Sequence, residues 1–373
     1  MKRNLLALAV AGAFLAPLAA MADGSGIVLT GVIHGDIGFG HEKDNSGSDS
    51  CATCYKRQAN IGTFATRWEI DGTEDLGWSQ AIFGLAMDQQ FAGPARAGSG
   101  KDTNNNNVGD LNNRNSFLGL TGGWGTLKIG QNEHQYEIQQ ILQDPDPASE
   151  NTYSTLALMT SWGIAGRQNF TSRDPQSIWY TSPSFAGVTI DVAYITPRGG
   201  KQGSINPDGY QLAANWKSPF GLAVYGAYAR YNDENGTDDS KNDAFRLGVG
   251  YGTELFQVDV FGEQLKFKQA NVNIDDKRTN IGISGALNFG QHHIRAAFSS
   301  AGKLNSNGSS VADTHARLFL IGYAYTLSKR TELQVNYGKL DNKANAQFGA
   351  GGGAVGAPGN DADRFGVGIR HTF

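Results

Sequence analysis

The chain has 373 residues, with 35 acidic against 31 basic side chains and a formal charge of −4. That negative balance, with Lys and Arg scattered along the chain, argues against nucleic-acid binding. Fifty Gly, ten Pro, thirteen Tyr and nineteen Phe suit a strand-and-turn protein with aromatic belts better than a disordered one. No stretch beyond the first 22 residues approaches the roughly 18 to 20 apolar residues of a membrane helix.

Residues 1–22 read as an export signal: Lys2 and Arg3 form a charged start, Leu5 to Leu18 a short apolar core, and Ala20-Met21-Ala22 an A-x-A cleavage site. Cleavage would start the mature chain at Asp23 and, with two positive charges lost, move the net charge from −4 to −6. The remaining 23–373 has the length of two ordinary domains, but no linker divides it, so a single domain is expected.

Sixteen strands follow in order: 26–39, 60–72, 78–90, 113–121, 124–131, 168–182, 186–195, 208–217, 222–231, 243–252, 256–267, 279–288, 291–299, 313–327, 331–340 and 363–373. Their signal is period-two alternation. Ile281, Ile283, Leu287 and Phe289 oppose Asn280, Gly282, Ser284 and Asn288, and Phe256, Val258 and Val260 oppose Gln257, Asp259 and Glu263. The closing strand places Phe365, Val367, Ile369 and Phe373 on one face, and ending on an aromatic is how transmembrane barrels finish, which makes Phe373 the candidate assembly signal. RLFLIGYAY at 317–325 is apolar on both faces and predicts either a neighbouring subunit or an inserted loop against its second face.

Connections alternate in length. GTEDLG, Gly122-Gly123, SPSFAG, SPFG, GTEL, FGQ and LSKR are short; 40–59, 91–112, 132–166, 196–207, 232–242, 268–278, 300–312 and 341–362 are long and rich in Asn, Asp, Ser and Gly. Such an order predicts an all-β, 16-stranded antiparallel transmembrane barrel with short periplasmic turns, long extracellular loops and both termini on the short-turn side. A low mean hydropathy is compatible with it, because only alternate side chains meet lipid. Sixteen strands leave an aqueous lumen, where about eight would fill with side chains. The expected function is a channel rather than an enzyme.

ATRWEIDGTEDLGW (65–78), NRNSFLGLTGGWGTLKIGQ (113–131), SIWYTSPSFAGV (177–188), LSKRTELQVNYG (327–338) and the terminal GIRHTF resemble, in order, successive motifs of the general diffusion porins of Gram-negative outer membranes, proteobacterial type. The resemblance implies a homotrimer in the outer membrane, contacts with outer-membrane lipid, lipopolysaccharide and the barrel-assembly machinery, and passive passage of small hydrophilic solutes without a cofactor. It also implies that residues 132–166 fold into the lumen. Two departures are His34, where an acid is common, and Gln131, where Arg is usual.

A pore's chemistry lies at its narrowest ring. If Trp68 and Ile70 face lipid, parity puts Arg67 in the lumen; if Phe117 faces lipid, it puts Arg114 there too. Both match family motifs whose arginines line the constriction, and Arg173 resembles the third, with Arg167 as a competitor. Facing them, the long segment holds Glu133, Glu137, Asp144, Asp146 and Glu150, while Tyr136, Ile138, Ile141 and Leu142 have a spacing that could clip one turn to the wall. A cationic wall against an acidic loop makes a transverse field, the alternative being ordinary solvated charges. His34, Asp36, Lys128 and Arg295 are also inward by parity.

Cys51-Ala-Thr-Cys54 lacks the setting of a redox or haem motif, and export favours a local disulfide over a metal site. GSGKD at 98–102 fails as a phosphate loop, since Asp102 replaces its Ser/Thr and Ala95 its first Gly. No G-x-S-x-G or H-E-x-x-H occurs. A substrate-dedicated channel, a barrel-borne hydrolase and an adhesin are the competing readings.

Overall fold

The computed structural model describes residues 25–43, 58–62, 66–88, 114–133, 136, 155–164, 167, 169–170, 173–196, 205, 207–233, 237–349 and 357–373. Among them nineteen strands make one antiparallel sheet: β1 Gly26–Lys43, β2 Gln58–Gly62, β3 Arg67–Asp75, β4 Gln80–Asp88, β5 Ser116–Gly122, β6 Gly125–Glu133, β7 Arg173–Thr181, β8 Val188–Ile195, β9 Gly209–Lys217 and β10 Leu222–Asn232. The second half is β11 Ser240–Gly252, β12 Phe256–Gln269, β13 Ile274–Phe289, β14 His292–Ala301, β15 Asn305–Ser306, β16 Ser309–Ser310, β17 Ala316–Ser328, β18 Thr331–Asn342 and β19 Asp361–Thr372. β19 pairs back onto β1, from Thr372 opposite Val32 to Asp361 opposite Lys43, so no edge is left open.

Seventeen of these form the sixteen strands of the wall. β2 and β3 are two pieces of one wall strand, because both pair with β1, at Asp36 to Gly40 and at Gly26 to Val32 respectively. Between them Thr66 accepts the His34 amide at 3.0 Å and donates to the His34 carbonyl at 2.9 Å, satisfying backbone groups that the break would orphan. β15 and β16 are a small hairpin in the loop after β14.

The predicted alternation is present. Val258, Val260, Ile281, Ile283 and Leu287 point outward and are exposed, while Asp259, Glu263, Asn280 and Ser284 between them are buried inside the barrel. An apolar outer face and a polar inner one is what a barrel in lipid requires. Backbone chemistry accounts for the strand-end differences. β7 starts at Arg173 rather than 168, and its register with β6 shifts at Pro175-Gln176, where Pro has no amide and Gln176 has a φ of 60°. β13 starts at Ile274, five residues early, because its charged Asp275 to Arg278 run continues the ladder with β12. Gly125, at a φ of +116° after the β5–β6 turn, admits no Cβ, which would meet the Thr181 carbonyl oxygen at 2.4 Å.

Candidate functional site: the lumen and its inward segment

Strand register brings Arg246 of β11 opposite Glu263 of β12, and Glu263 opposite Asn280 of β13. All three are inward and buried. Arg246 Nη2 lies 2.6 Å from Glu263 Oε2 with neither side chain exposed. The carboxylate is filled by three further donors: Tyr136 Oη at 2.8 Å, the Thr160 amide at 2.7 Å and Asn280 Nδ2 at 2.7 Å. Arg246 Nη1 donates to the Tyr136 carbonyl at 2.9 Å, and its guanidinium lies 4.3 Å from the Tyr136 ring centroid. A buried ion pair is tolerated when its remaining capacity is satisfied in this way. Burial and the neighbouring carboxylate hold the Tyr136 phenol well above its usual range, so it stays a proton donor to Glu263.

Tyr136 and Thr160 both belong to the connection between β6 and β7. Its described residues lie on the inner wall. Ala157 and Leu158 pack with Ala297, Ala301, Leu318 and Leu320 of β14 and β17. Tyr136, Trp162 and Phe170 pack with Ile195, Ala229, Tyr231, Leu265 and Phe267 of β8, β10 and β12. Trp162 Nε1 donates to Asn242 at 3.1 Å, and Arg167 pairs with Asp276 at 2.8 Å above the Phe267 ring. This settles the doubly apolar 317–325 run: Phe319, Ile321 and Tyr323 face outward, and Leu318 and Leu320 lie under the inserted segment. The connection before β19 adds a brace, since the Gln347 amide donates to the Gly163 carbonyl at 3.0 Å and buried Phe348 packs with Leu158.

Sixteen strands about 4.8 Å apart and tilted about 40° close at a radius of about 16 Å. Seven strands lie between β3 and β11 in either direction round the wall, so β3 faces the anchored segment across the lumen. Arg67 is inward, opposite Val32 of β1, but its Nε lies 2.6 Å from Glu69 Oε1 on the same wall. The wall beside it carries His34 and Asp36, both buried on the lumen side. Lys128 is inward with its Nζ 4.0 Å above the Phe117 ring, and Arg295 is inward at 4.0 Å from Glu332.

Three expectations change. Phe117 faces the lumen, not lipid: Leu118 and Ile129 are the exposed neighbours, and Phe117 carries Lys128. The parity argument for Arg114 therefore fails. It also cannot run past β5, because Ala86 donates its amide to Asn115 while accepting that of Arg114, so two residues oppose one. Arg173 and Glu133, expected on opposite sides of the pore, are paired with each other at 2.8 Å. Asp174 points inward, bonded to Gln211 at 3.2 Å and Tyr231 at 3.1 Å, which leaves Arg173 on the other face. Glu137, Asp144, Asp146, Glu150, Cys51, Cys54, Ile138, Ile141 and Leu142 lie outside the described residues.

Sequence reasoning missed the Arg246, Glu263, Asn280 row. Alternation marks each as inward, Arg246 lying between exposed Phe245 and Leu247. Their direct opposition needs the pairing register.

Comparison with known proteins agrees with this architecture. A family model described as Gram-negative porin matches residues 7–345. The major outer membrane protein P.IB of Neisseria meningitidis serogroup A is 26% identical over 377 residues covering all of both chains, and that of Neisseria lactamica is 27% identical over 380 residues, again all of both. Among solved structures, an anion-selective porin from Comamonas acidovorans superposes with a TM-score of 0.74 at 21% identity, covering 94% of this chain and 100% of its own. OmpT of Vibrio cholerae in a trimer form gives 0.67 at 14%, covering 94% and 99%.

Proposed function

Given that the chain belongs to the Gram-negative porin family and is an outer-membrane diffusion channel, we propose that its narrowest ring lies between β3 and the segment anchored on β11 to β13. Small hydrophilic solutes and ions cross it by diffusion, and no reaction is catalysed. The observation that carries the reading is the Arg246–Glu263 anchor, which holds Tyr136 and Thr160 of the inward segment against the wall opposite Arg67.

Arg67, with Glu69, His34 and Asp36, forms one side of the ring, and the acids Glu137, Asp144 and Asp146 belong to the other. Because Glu69 neutralises Arg67 locally, selectivity is weaker than an unpaired arginine would produce. The structural neighbour described as anion-selective supports a charge-tuned pore of this type. The protein assembles as a homotrimer, a reading supported by the trimer form of the Vibrio neighbour. Arg114 belongs to the basic side on family resemblance alone. Residues 1–22 are removed on export, and Cys51 and Cys54 form a local disulfide.

Planar-bilayer conductance with reversal potentials under a salt gradient tests the reading. Stepwise ohmic currents with weak ion preference are expected. Absence of conductance from folded protein overturns it, and saturable block by one solute replaces it with a dedicated channel.

A further inference from the structure

One register row crosses the wall below the anchored segment. Lys217 of β9 lies opposite Ala223 of β10, Ala223 opposite Gly250 of β11, and Gly250 opposite Asp259 of β12. Gly250 and Asp259 alternate with exposed Val249, Tyr251, Val258 and Val260, while Ala223 and Lys217 share the parity of buried Tyr225 and Ala213, so the row faces the lumen. Its two middle positions carry a methyl group and a hydrogen. The row is therefore a shallow trough with a cation at one end and an anion at the other.

The anionic end is built to hold a donor. Asp259 Oδ2 accepts from Gln257 Nε2 at 2.6 Å, and Oδ1 lies over Gly250, where a Cβ would collide with it. One row higher, the Tyr225 hydroxyl lies over Gly248, where a Cβ would collide in the same way. Same-face positions two residues apart on a strand are separated by about 7 Å, so the two oxygens flank one gap. Tyr225 is 6% exposed, its hydroxyl makes no hydrogen bond, and Asp259 acts on it more strongly than Arg246 does. A buried hydroxyl in that state favours a ligand that can bond to it. Met159 of the inward segment packs on Tyr225 and Phe261 and roofs this end.

The charges at the two ends do not neutralise each other. Among the described residues neither Lys217 nor Asp259 has an ion-pair partner. The neighbouring charges are engaged elsewhere: Arg246 with Glu263, Arg295 with Glu332 at 4.0 Å, and Asp191 with the Thr181 hydroxyl. From Asp259 Oδ1, over Gly250, to the Lys217 Cβ is two strand spacings, or about 10 Å. The Lys ammonium rides on a flexible four-carbon stem, which can shorten that gap to the length of a small solute. Lys217 is exposed and ends β9, so the trough opens beside the short turn that follows.

We infer that this trough is a docking station for zwitterionic solutes, α-amino acids and short peptides, whose ammonium sits between Asp259 Oδ1 and the Tyr225 hydroxyl and whose carboxylate meets Lys217. An ammonium has three N–H donors and serves both oxygens at once. A solute carrying only one of the two charges engages only one end. The inference rests on the lumen being a diffusion path, and not on where its narrowest ring lies.

The test is saturation-transfer NMR of the full, detergent-folded protein with three probes. Glycylglycine carries both charges, glycinamide only the ammonium and N-acetylglycine only the carboxylate. Glycylglycine should bind at least about threefold more tightly than either single-charge probe. Asp259→Asn and Lys217→Gln should each weaken its binding about threefold to tenfold, while Asp191→Asn, on the same inner wall outside the trough, should leave it unchanged. Stepwise currents in planar bilayers show that each variant is folded and open, which keeps a failure of binding separate from a failure of the diffusion reading. Equal binding of the three probes, no binding of glycylglycine, or wild-type affinity in either trough variant would overturn the inference. So would an equal loss in Asp191→Asn, which would make the effect a general field of the wall.

Discussion

Replacing Glu263 by Ala should release the inward segment without opening the barrel. The carboxylate is the common acceptor for Arg246, Tyr136, the Thr160 amide and Asn280, and Arg246 is fully buried. Removing one partner of a buried ion pair costs about 3 to 5 kcal/mol, because the other charge stays buried without compensation. Against this, burying Leu158, Met159 and Trp162 contributes about 1.5 to 3 kcal/mol each, and ordering each backbone residue of the segment costs about 1 to 2 kcal/mol. Those terms are of the same order and opposite in sign, so losing the anchor decides whether the segment stays docked. The strand ladder is untouched, and gel migration of the folded barrel should not change. Single-channel records at fixed voltage should show added current noise and brief closures, and protease should cut between residues 136 and 164 faster than in wild type. The double variant Arg246→Met, Glu263→Leu removes both charges and should lie within about 2 kcal/mol of wild type in stability, well above the single variant. A quiet, protease-resistant Glu263→Ala channel would refute the anchoring argument, as would a double variant that is worse than the single one.

Phe348→Ala should cost about 3 to 5 kcal/mol, read as a lowered denaturant midpoint, because the fully buried ring packs with Leu158 and with the Arg278 guanidinium at 5.1 Å. Arg67→Ala should move the reversal potential toward cation preference and Glu69→Gln toward anion preference, with Asp238→Asn on an outer loop as a control that stays at wild type, since outer charges are screened within about 8 Å. Val260→Arg, on the exposed apolar face at mid-height, should destabilise by about 2 to 4 kcal/mol in a lipid refolding titration, whereas Gln264→Arg nearer the rim should cost about 0 to 1 kcal/mol.

What the residues alone determined is the set of properties that depend on period and turn spacing. Ile281, Ile283 and Leu287 alternate with Asn280, Gly282 and Ser284, and a pleated strand must send those two sets to opposite faces, whatever it pairs with. Turn and loop lengths then imposed antiparallel order, an even strand count and a wet interior. The resemblance to porins rested on motifs at these same turns and strand ends.

The lumen needed the tertiary structure, for two reasons. An aromatic residue does not declare its face: Phe117 alternates with outward-facing Leu118 and points inward, where Lys128 lies over it, and a bulge opposite Ala86 breaks the alternation at Arg114 and Asn115. Partners across strands depend on register, which the chain encodes only collectively. Arg246, Glu263 and Asn280 are far apart in sequence and become one row when β11, β12 and β13 pair, and that row fixes where the inward segment sits. The same ladder that made the wall legible thus decided the site, by setting which alternating positions meet.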